Sequence, residues 1–269
     1  PAGDAVLEGI YDPPLGCDTF AEFLLAELKT AELPPNTAPY DPVTRISTEE
    51  HIRGWKKAKE RTSAGMAGLH FGMFKAHIKR KALADLDASM RSVAYTTGYS
   101  YKRWKKGLDV QSLKRSKDYR AEKLRTILLL EANFNINNKI MGRDVMRSAT
   151  RRKALARDNY GSRRGHQAAE VSLNTLLTYN SIWGRRGRAV ILSNDAKGCY
   201  DRIAHVVLAL ALRRLGIPKP VLKSMLDTIE TMDHHICTAF GVSEGKYGND
   251  PSRPKPQGVL QGNGAGPAG

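Results

Sequence analysis

The order of short apolar segments is the feature that most restricts the fold of this 269-residue chain. Two neighbouring apolar runs, 108–113 and 124–130, are separated by a charged turn, which is typical of a β-hairpin. A further short strand is predicted at 188–194, and a second hairpin around 236–247. Helical spacing dominates the rest of the chain. Because helices and strands mix without the alternation of βαβ units, the sequence predicts a helix-rich α+β protein.

Apolar spacing and end signals predict the helices. The residues at 47–50 have the spacing of a capping box, and Gly216 separates the last two helices. The first helix is amphipathic, with four large apolar residues on one face: Phe20, Phe23, Leu24 and Leu28. The predicted helices span 18–33, 47–60, 83–97, 135–153, 167–183, 204–215 and 218–231.

Basic charge dominates the composition but is unevenly distributed. The chain has 43 lysines and arginines against 27 acids, a net charge of +16. Residues 1–44 contain eight acids and one lysine, a net charge of −7, so the remainder carries +23. Such asymmetry favours a polyanionic partner, because each neutralised phosphate releases condensed counterions. Alternatively, a basic protein can be soluble and bind other molecules non-specifically, without a dedicated polyanionic partner.

Cysteine and histidine usage gives no sign of a disulfide framework or a zinc site. Cys17, Cys199 and Cys237 are widely separated, which favours a reducing compartment. The adjacent His234 and His235 would face opposite sides of a strand and could not share a metal. No apolar run approaches the roughly 20 residues that span a bilayer, so we expect no membrane association.

The segment from Ile191 to Ile203 is the most informative string. An apolar run leads to Asp195, and Tyr200 and Asp201 follow five and six residues later. An aspartate at a strand end can hold Mg²⁺, and two-metal phosphoryl transfer needs further acids as well. An isolated aspartate in this position also commonly caps the following helix.

This segment resembles the first palm motif of reverse transcriptases, in particular those of eukaryotic non-LTR-like retroelements. The resemblance implies that the Asp195 carboxylate and the Ala196 carbonyl bind two Mg²⁺ ions. It also implies that Tyr200 closes the space beside the sugar 2′ position, which favours deoxynucleotides. Viral RNA-copying polymerases usually carry a smaller polar residue there. Asp201 would have a structural role.

Fingers motifs of the same family precede this segment in the expected order. Residues 61–70 resemble the early fingers loop, although Ala64 stands where proline or serine is usual. The hairpin resembles the one that holds the incoming triphosphate, which implies that Lys114 and Arg125 bind its phosphates. Thr126 replaces a common proline. A guanidinium suits bidentate phosphate contact, and a solvated basic hairpin is the alternative.

Two further stretches extend the resemblance. Residues 131–139 resemble the helix after the hairpin, and residues 160–166 resemble the turn that lies against the template strand. Phosphate contacts from the surrounding basic tract would set position rather than sequence, and a solvated helix face is the alternative for its first half. The tract consists of Arg143, Arg147, Arg151, Arg152, Lys153, Arg157, Arg163 and Arg164.

Residues 256–267 resemble a later palm motif that contains a Gln-Gly pair, here Gln261 and Gly262. Glycines in such a loop let the backbone approach the template and the incoming nucleotide closely. Residues 263–266 depart from the family pattern. A G-x-G-x-x-G string at 264–269 is not interpreted as a dinucleotide site, because no βαβ unit surrounds it.

Together the motifs cover about residues 45–269 and imply a right-hand polymerase fold. The expected organisation is an acidic extension at 1–44, fingers at 45–185 and a partial palm at 186–269 that ends before the family's aromatic-x-Asp-Asp turn. The implied function is RNA-directed DNA polymerisation, with an RNA template, a DNA primer and dNTPs as partners. The alternatives are a non-enzymatic nucleic-acid-binding remnant of a retroelement and an RNA-directed RNA polymerase.

The 269-residue chain alone is predicted not to polymerise, because Asp195 cannot hold two metal ions unaided. A primer-extension assay with an RNA template, dNTPs and Mg²⁺ tests this prediction. Templated incorporation above the level of a no-enzyme control would contradict it.

Overall fold

The computed structural model describes residues 2–13, 15–30, 45–193, 198–250, 252–253, 256–259 and 263–264. Within these ranges the protein is a mixed α+β structure, as the sequence predicts. Its helices are α1 (Ala2–Glu8), α2 (Thr19–Thr30), α3 (Thr48–Lys56), α4 (Phe71–His77), α5 (Lys81–Thr97), α6 (Ala132–Arg151), α7 (Ala168–Gly184), α8 (Cys199–Arg202), α9 (His205–Arg214) and α10 (Lys219–Glu230). Its strands are β1 (Lys106–Leu113), β2 (Leu124–Leu129), β3 (Asp233–Thr238) and β4 (Gly241–Val242).

The four strands form one sheet in the order β2-β1-β3-β4. Strands β1 and β2 form an antiparallel hairpin in which Leu108 pairs with Leu129 and Leu113 pairs with Leu124. Strand β1 also pairs in parallel with β3, and β3 turns back into β4. Both predicted hairpins are therefore confirmed, and the distant β3 joins the first hairpin to the later part of the chain.

The local start and stop signals behave as the sequence predicts. The hydroxyl of Ser47 accepts a hydrogen bond from the Glu50 backbone, and the Glu50 carboxylate accepts one from the Ser47 backbone, which completes the capping box of α3. Helix α3 ends at Lys56, four residues earlier than predicted. Gly216 has a φ of +84° between α9 and α10, a conformation that favours glycine.

Two groups of buried side chains form the core. The larger joins α1, α5, β2, α6, α9 and α10, and includes Trp104, Phe134 and Leu222. The smaller lies between α3, α4 and α6, where Trp55 stacks on Phe74 with ring centroids 4.5 Å apart. Helix α6 contributes to both groups. Among the described helices, none combines the length and apolar character needed to cross a lipid bilayer.

The strand predicted at 188–194 is wrong over its described part. Residues 188–193 have no regular structure, and Val190 and Leu192 are 85% and 90% exposed. An isolated strand cannot satisfy its backbone hydrogen bonds internally, and none of the described strands pairs with this segment. Asn194 lies outside the described residues.

The apolar stripe of α2 does not face the core. Phe20 and Phe23 are 67% and 56% exposed, and Leu24 is also exposed. Leu25 instead packs against the larger core, which places the predicted stripe toward solvent. The side chain of Leu28 is outside the described part of the chain.

Helix α5 likewise turns its large apolar residues outward. Leu83, Leu86, Met90 and Val93 are all exposed. The opposite face, which packs on α10 and α3, is formed by Ala84, Ala88, Arg91, Ser92 and Tyr95. Small residues on that face allow the helices to approach closely. The apolar periodicity therefore predicted where the helix lies, whereas the face that is buried depends on the neighbouring helices.

A buried cluster of charged side chains joins α5 to α3. Asp87 Oδ2 lies 3.0 Å from Arg91 Nη2 and 3.2 Å from His51 Nε2, and Arg91 and His51 are almost fully buried. The Arg91 guanidinium lies over the Trp55 ring at 4.9 Å. Burial raises the pKa of Asp87, but the His51 and Arg91 interactions outweigh it and lower the pKa to about 2. The ionised carboxylate therefore stabilises the fold above pH 4, and this stabilisation is lost as the pH falls toward 2.

Asp87→Asn is predicted to lower the free energy of unfolding by about 2–4 kcal/mol at pH 7, because it leaves Arg91 charged, buried and without its ion pair. Urea unfolding at pH 7, 5, 4 and 3 should show the deficit shrinking below pH 4. Asp118→Asn is the control, because Asp118 pairs with Arg120 in an exposed turn. Equal effects of the two substitutions at pH 7 would contradict the assignment.

Candidate nucleic-acid interface

The loop at 61–70 is fixed to the start of α6 by a buried carboxylate. Glu131 precedes α6 and is fully buried, and its Oε1 accepts a hydrogen bond of 2.8 Å from the backbone N–H of Ala67. A Cβ on Gly65 would lie 2.7 Å from Glu131 Oε1 and 2.9 Å from the Glu131 backbone nitrogen. The loop at 61–65 and the helix after the hairpin, which the resemblance treats as separate motifs, are therefore in direct contact.

Tyr200 lies against the start of the glycine-rich loop, which begins at residue 256. The backbone N–H of Val259 donates to the Tyr200 carbonyl at 2.9 Å, and that of Gly258 donates to the Ile203 carbonyl at 2.9 Å. Gly258 has a φ of +101°, and a Cβ there would overlap the Tyr200 carbonyl oxygen. Glycine is thus required by both conformation and space. The Tyr200 side chain is 41% exposed.

The same loop reaches α6 further along. The Asn138 amide donates a buried hydrogen bond of 2.9 Å to the Asn263 side-chain oxygen. A Cβ on Gly264 would overlap the Asn135 carbonyl oxygen and lie 2.9 Å from Lys139 Cβ. The glycine-rich loop therefore contacts α8 at Val259 and α6 at Asn263 and Gly264.

His205 anchors the glycine-rich loop through a buried hydrogen bond, a role that nothing in the sequence indicated. Its ring Nε2 lies 2.8 Å from the Gly258 carbonyl oxygen. Its Nδ1 lies 3.6 Å from Glu230 Oε1, which accepts a hydrogen bond from the Gly3 backbone. His205 and Glu230 are buried. The glycine loop, α10 and the start of α1 are linked through this one histidine.

Lys114 and Arg125 lie at the outer end of the β1–β2 hairpin. Arg125 pairs with Ser112 in the ladder, and Lys114 follows the last residue of β1. Both side chains are exposed, and neither forms an ion pair within the described ranges. The hairpin thus presents both cations to solvent, and none of the described contacts connects them to Tyr200.

The proposed metal ligands lie outside the described residues. Asp195 and Ala196, as well as Gln261 and Gly262, fall in the two undescribed gaps that flank the Tyr200 contact. Over the described ranges, no group of three or more histidines, cysteines, aspartates or glutamates is placed to hold a metal ion. Asp195 and Ala196 therefore stay predictions.

A second buried cluster lies where β1 meets β3. Asp109 Oδ2 lies 3.0 Å from His234 Nδ1 and accepts a hydrogen bond of 2.5 Å from the Tyr247 hydroxyl. Burial, and then the bond to Asp109, raise the pKa of Tyr247. His234 is buried while His235 is partly exposed, which confirms that the two rings face opposite sides of a strand. The sequence drew attention to the histidines but gave no sign of Asp109, which lies 125 residues away.

Comparisons with known proteins do not identify the chain. No protein-family model matches it, and no curated protein matches it. The resemblance to reverse transcriptases therefore depends on the sequence motifs alone.

Gly65→Ala is predicted to destabilise the protein by about 1–3 kcal/mol, because the new methyl group would collide with the Glu131 carboxylate and backbone. Chemical denaturation measures this change. Gly184→Ala is the control, since no atom lies within 4 Å of the position that its Cβ would occupy. A Gly65→Ala protein as stable as the control would show that the loop does not pack on Glu131.

Proposed function

We propose that this chain forms the fingers and the first part of the palm of an RNA-directed DNA polymerase with a right-hand fold. The fingers comprise residues 45–185 and the palm segment residues 186–269, and residues 1–44 precede them as an acidic extension. The observation that supports the proposal best is that the glycine-rich loop contacts both Tyr200 and α6. Motifs that are far apart in sequence converge at these contacts.

The proposed chemistry divides the work among named residues. Two Mg²⁺ ions held by Asp195, the Ala196 carbonyl and the acidic pair of the family's later aromatic-x-Asp-Asp turn would stabilise the charge of phosphoryl transfer. Lys114 and Arg125 bind the triphosphate of the incoming nucleotide. Tyr200 restricts the space beside the sugar, and its backbone is held by Val259. Positioning of this kind is the larger part of catalysis in nucleotidyl transfer.

A nucleic-acid-binding remnant without activity is the second candidate, and the charge distribution favours it equally. Residues 45–269 carry +23, which suffices for phosphate binding without any reaction. An RNA-directed RNA polymerase is the third candidate, and Tyr200 argues against it because its ring occupies the space that a ribose hydroxyl needs. Substitutions of Asp195 and Tyr200 separate the three.

The test uses the protein expressed from the complete reading frame that contains these 269 residues. Primer extension on an RNA template is expected with dNTPs, and Asp195→Asn should reduce it to background. Asp250→Asn is the control, because Asp250 is exposed and bonded only within its own turn. No activity of the wild type with intact RNA binding would favour the remnant, whereas full activity of Asp195→Asn would show that Asp195 does not hold the metal ions.

Tyr200→Ala is predicted to relax sugar discrimination. The smaller side chain leaves room for a 2′ hydroxyl, so the preference for dNTPs over rNTPs should fall by at least about tenfold. Steady-state kcat/KM for both nucleotides measures this, and Tyr200→Phe should keep the discrimination. An unchanged ratio in Tyr200→Ala would remove Tyr200 from the nucleotide site.

A further inference from the structure

Helix α6 carries a row of cations beside the glycine-rich loop. Lys139, Arg143, Arg147 and Arg151 recur every four residues, so each lies about 40° further around the helix than the one before, and the row winds gradually across one side. The row begins where Gly264 lies against the helix, at Asn135 and Lys139. From Lys139 to Arg151 the helix rises by about 18 Å.

A further cation joins the start of this row from α3. Helix α3 crosses α6 at Gly54, whose missing Cβ would lie 3.4 Å from the side chains of Ile136 and Ile140. Ala58, just beyond α3, is buried in the same core group as Ile136. Lys59 follows Ala58 and is exposed, and its positive charge contributes to lowering the pKa of Lys139.

The first three cations, Lys59, Lys139 and Arg143, lack an acidic counterpart. Glu60, the acid next to Lys59, pairs with Lys75 at 3.3 Å. Within the described ranges, no ion pair involves any of the three. Lys139 is half-buried, and burial, followed by the positive charges of Arg143 and Lys59, lowers its pKa. Like charges held together in this way lower their mutual repulsion by binding an anion.

We propose that Lys59, Lys139 and Arg143, beside the backbone of Gly264, bind a phosphate of a single nucleic-acid strand. The choice of a nucleic-acid phosphate rests on the proposed function. Cations next to a glycine backbone suit a phosphate, because the backbone can approach its oxygens closely. The site would anchor one end of a strand. Arg151 and Arg147, whose guanidinium lies 4.0 Å from Asp144 Oδ1, would contact the following phosphates.

The length of the cation row indicates that its ligand is a nucleic-acid strand rather than a single nucleotide. A row of about 18 Å exceeds a single triphosphate, whereas it matches an extended phosphodiester backbone. Lys114 and Arg125, which are proposed for the triphosphate, lie instead on the hairpin. Contacts of this kind fix the register of the strand without reading its sequence.

The experiment measures binding of a fluorescent single-stranded RNA to the 269-residue chain without Mg²⁺ or nucleotides, over a range of salt concentrations. Lys139→Gln is expected to weaken binding and to reduce the slope of log K against log salt by about 0.7, the value for one phosphate on a single strand. Lys139→Arg should restore both. The control is Arg80→Gln, which removes an equal charge from the exposed residue before α5.

The outcomes separate the possible phosphate sources and the two proposals. If Lys139→Gln and Arg80→Gln bind RNA equally, the site does not exist. If Lys139→Gln weakens binding of a labelled dNTP but leaves RNA binding unchanged, the phosphate belongs to a nucleotide and the strand assignment is wrong. Asp195→Asn should bind RNA like the wild type, so a loss of polymerisation and a loss of strand binding are measured independently. Thermal unfolding of each variant checks that it is folded.

Discussion

The buried carboxylate of Glu131 is the interaction on which the arrangement of the proposed site depends. Burial of a carboxylate costs several kcal/mol unless hydrogen bonds compensate it. The Ala67 N–H supplies one such bond, and only a residue without a Cβ at position 65 allows the loop to come close enough. Glu131 also lies between β2 and α6, so the hairpin, the early loop and the helix are fixed at one point.

Helix α6 extends this junction to the rest of the molecule. Its buried face belongs to both core groups, and its Asn138 donates a hydrogen bond to Asn263 in the glycine-rich loop. The Tyr95 hydroxyl donates to the Asn137 carbonyl at 2.5 Å, which connects α6 to α5. Polar side chains on a buried helix face restrict how the helix can rotate, because each must meet its partner. The orientation of the cation row toward Gly264 follows from this restriction.

Local signals in the sequence predicted local structure well. The capping box at Ser47, the hairpin of β1 and β2, and the break at Gly216 each depend on residues close together in the chain. The strand predicted at 188–194 is wrong over its described part, and the sequence did not show that the apolar stripes of α2 and α5 face solvent, for a common reason. Periodicity identifies an apolar face but not the element that covers it, and the partners of a strand or a helix lie elsewhere in the sequence.

The site was predictable only in part for the same reason. The motifs drew attention to Tyr200 and the glycine-rich loop, whose roles stay predictions, whereas His205 and Glu131 acquire their contacts from distant segments. The pairing of Asp109 with His234 had no local signal at all. Where the chain brings such groups together, the sequence specifies the residue types, and the geometry comes from packing.

The parallel pairing of β1 with β3 has a consequence for how the chain folds. Asp109 and His234 are separated by 125 residues. The free edge of β1 in the first hairpin therefore stays unpaired until the five helices between β2 and β3 have been synthesised. At about 5–20 residues per second on the ribosome, that edge stays open for roughly ten seconds. Pairing between residues this far apart slows folding, and an unpaired strand edge readily joins other strands, so this protein should fold slowly and be prone to aggregation while that edge is open.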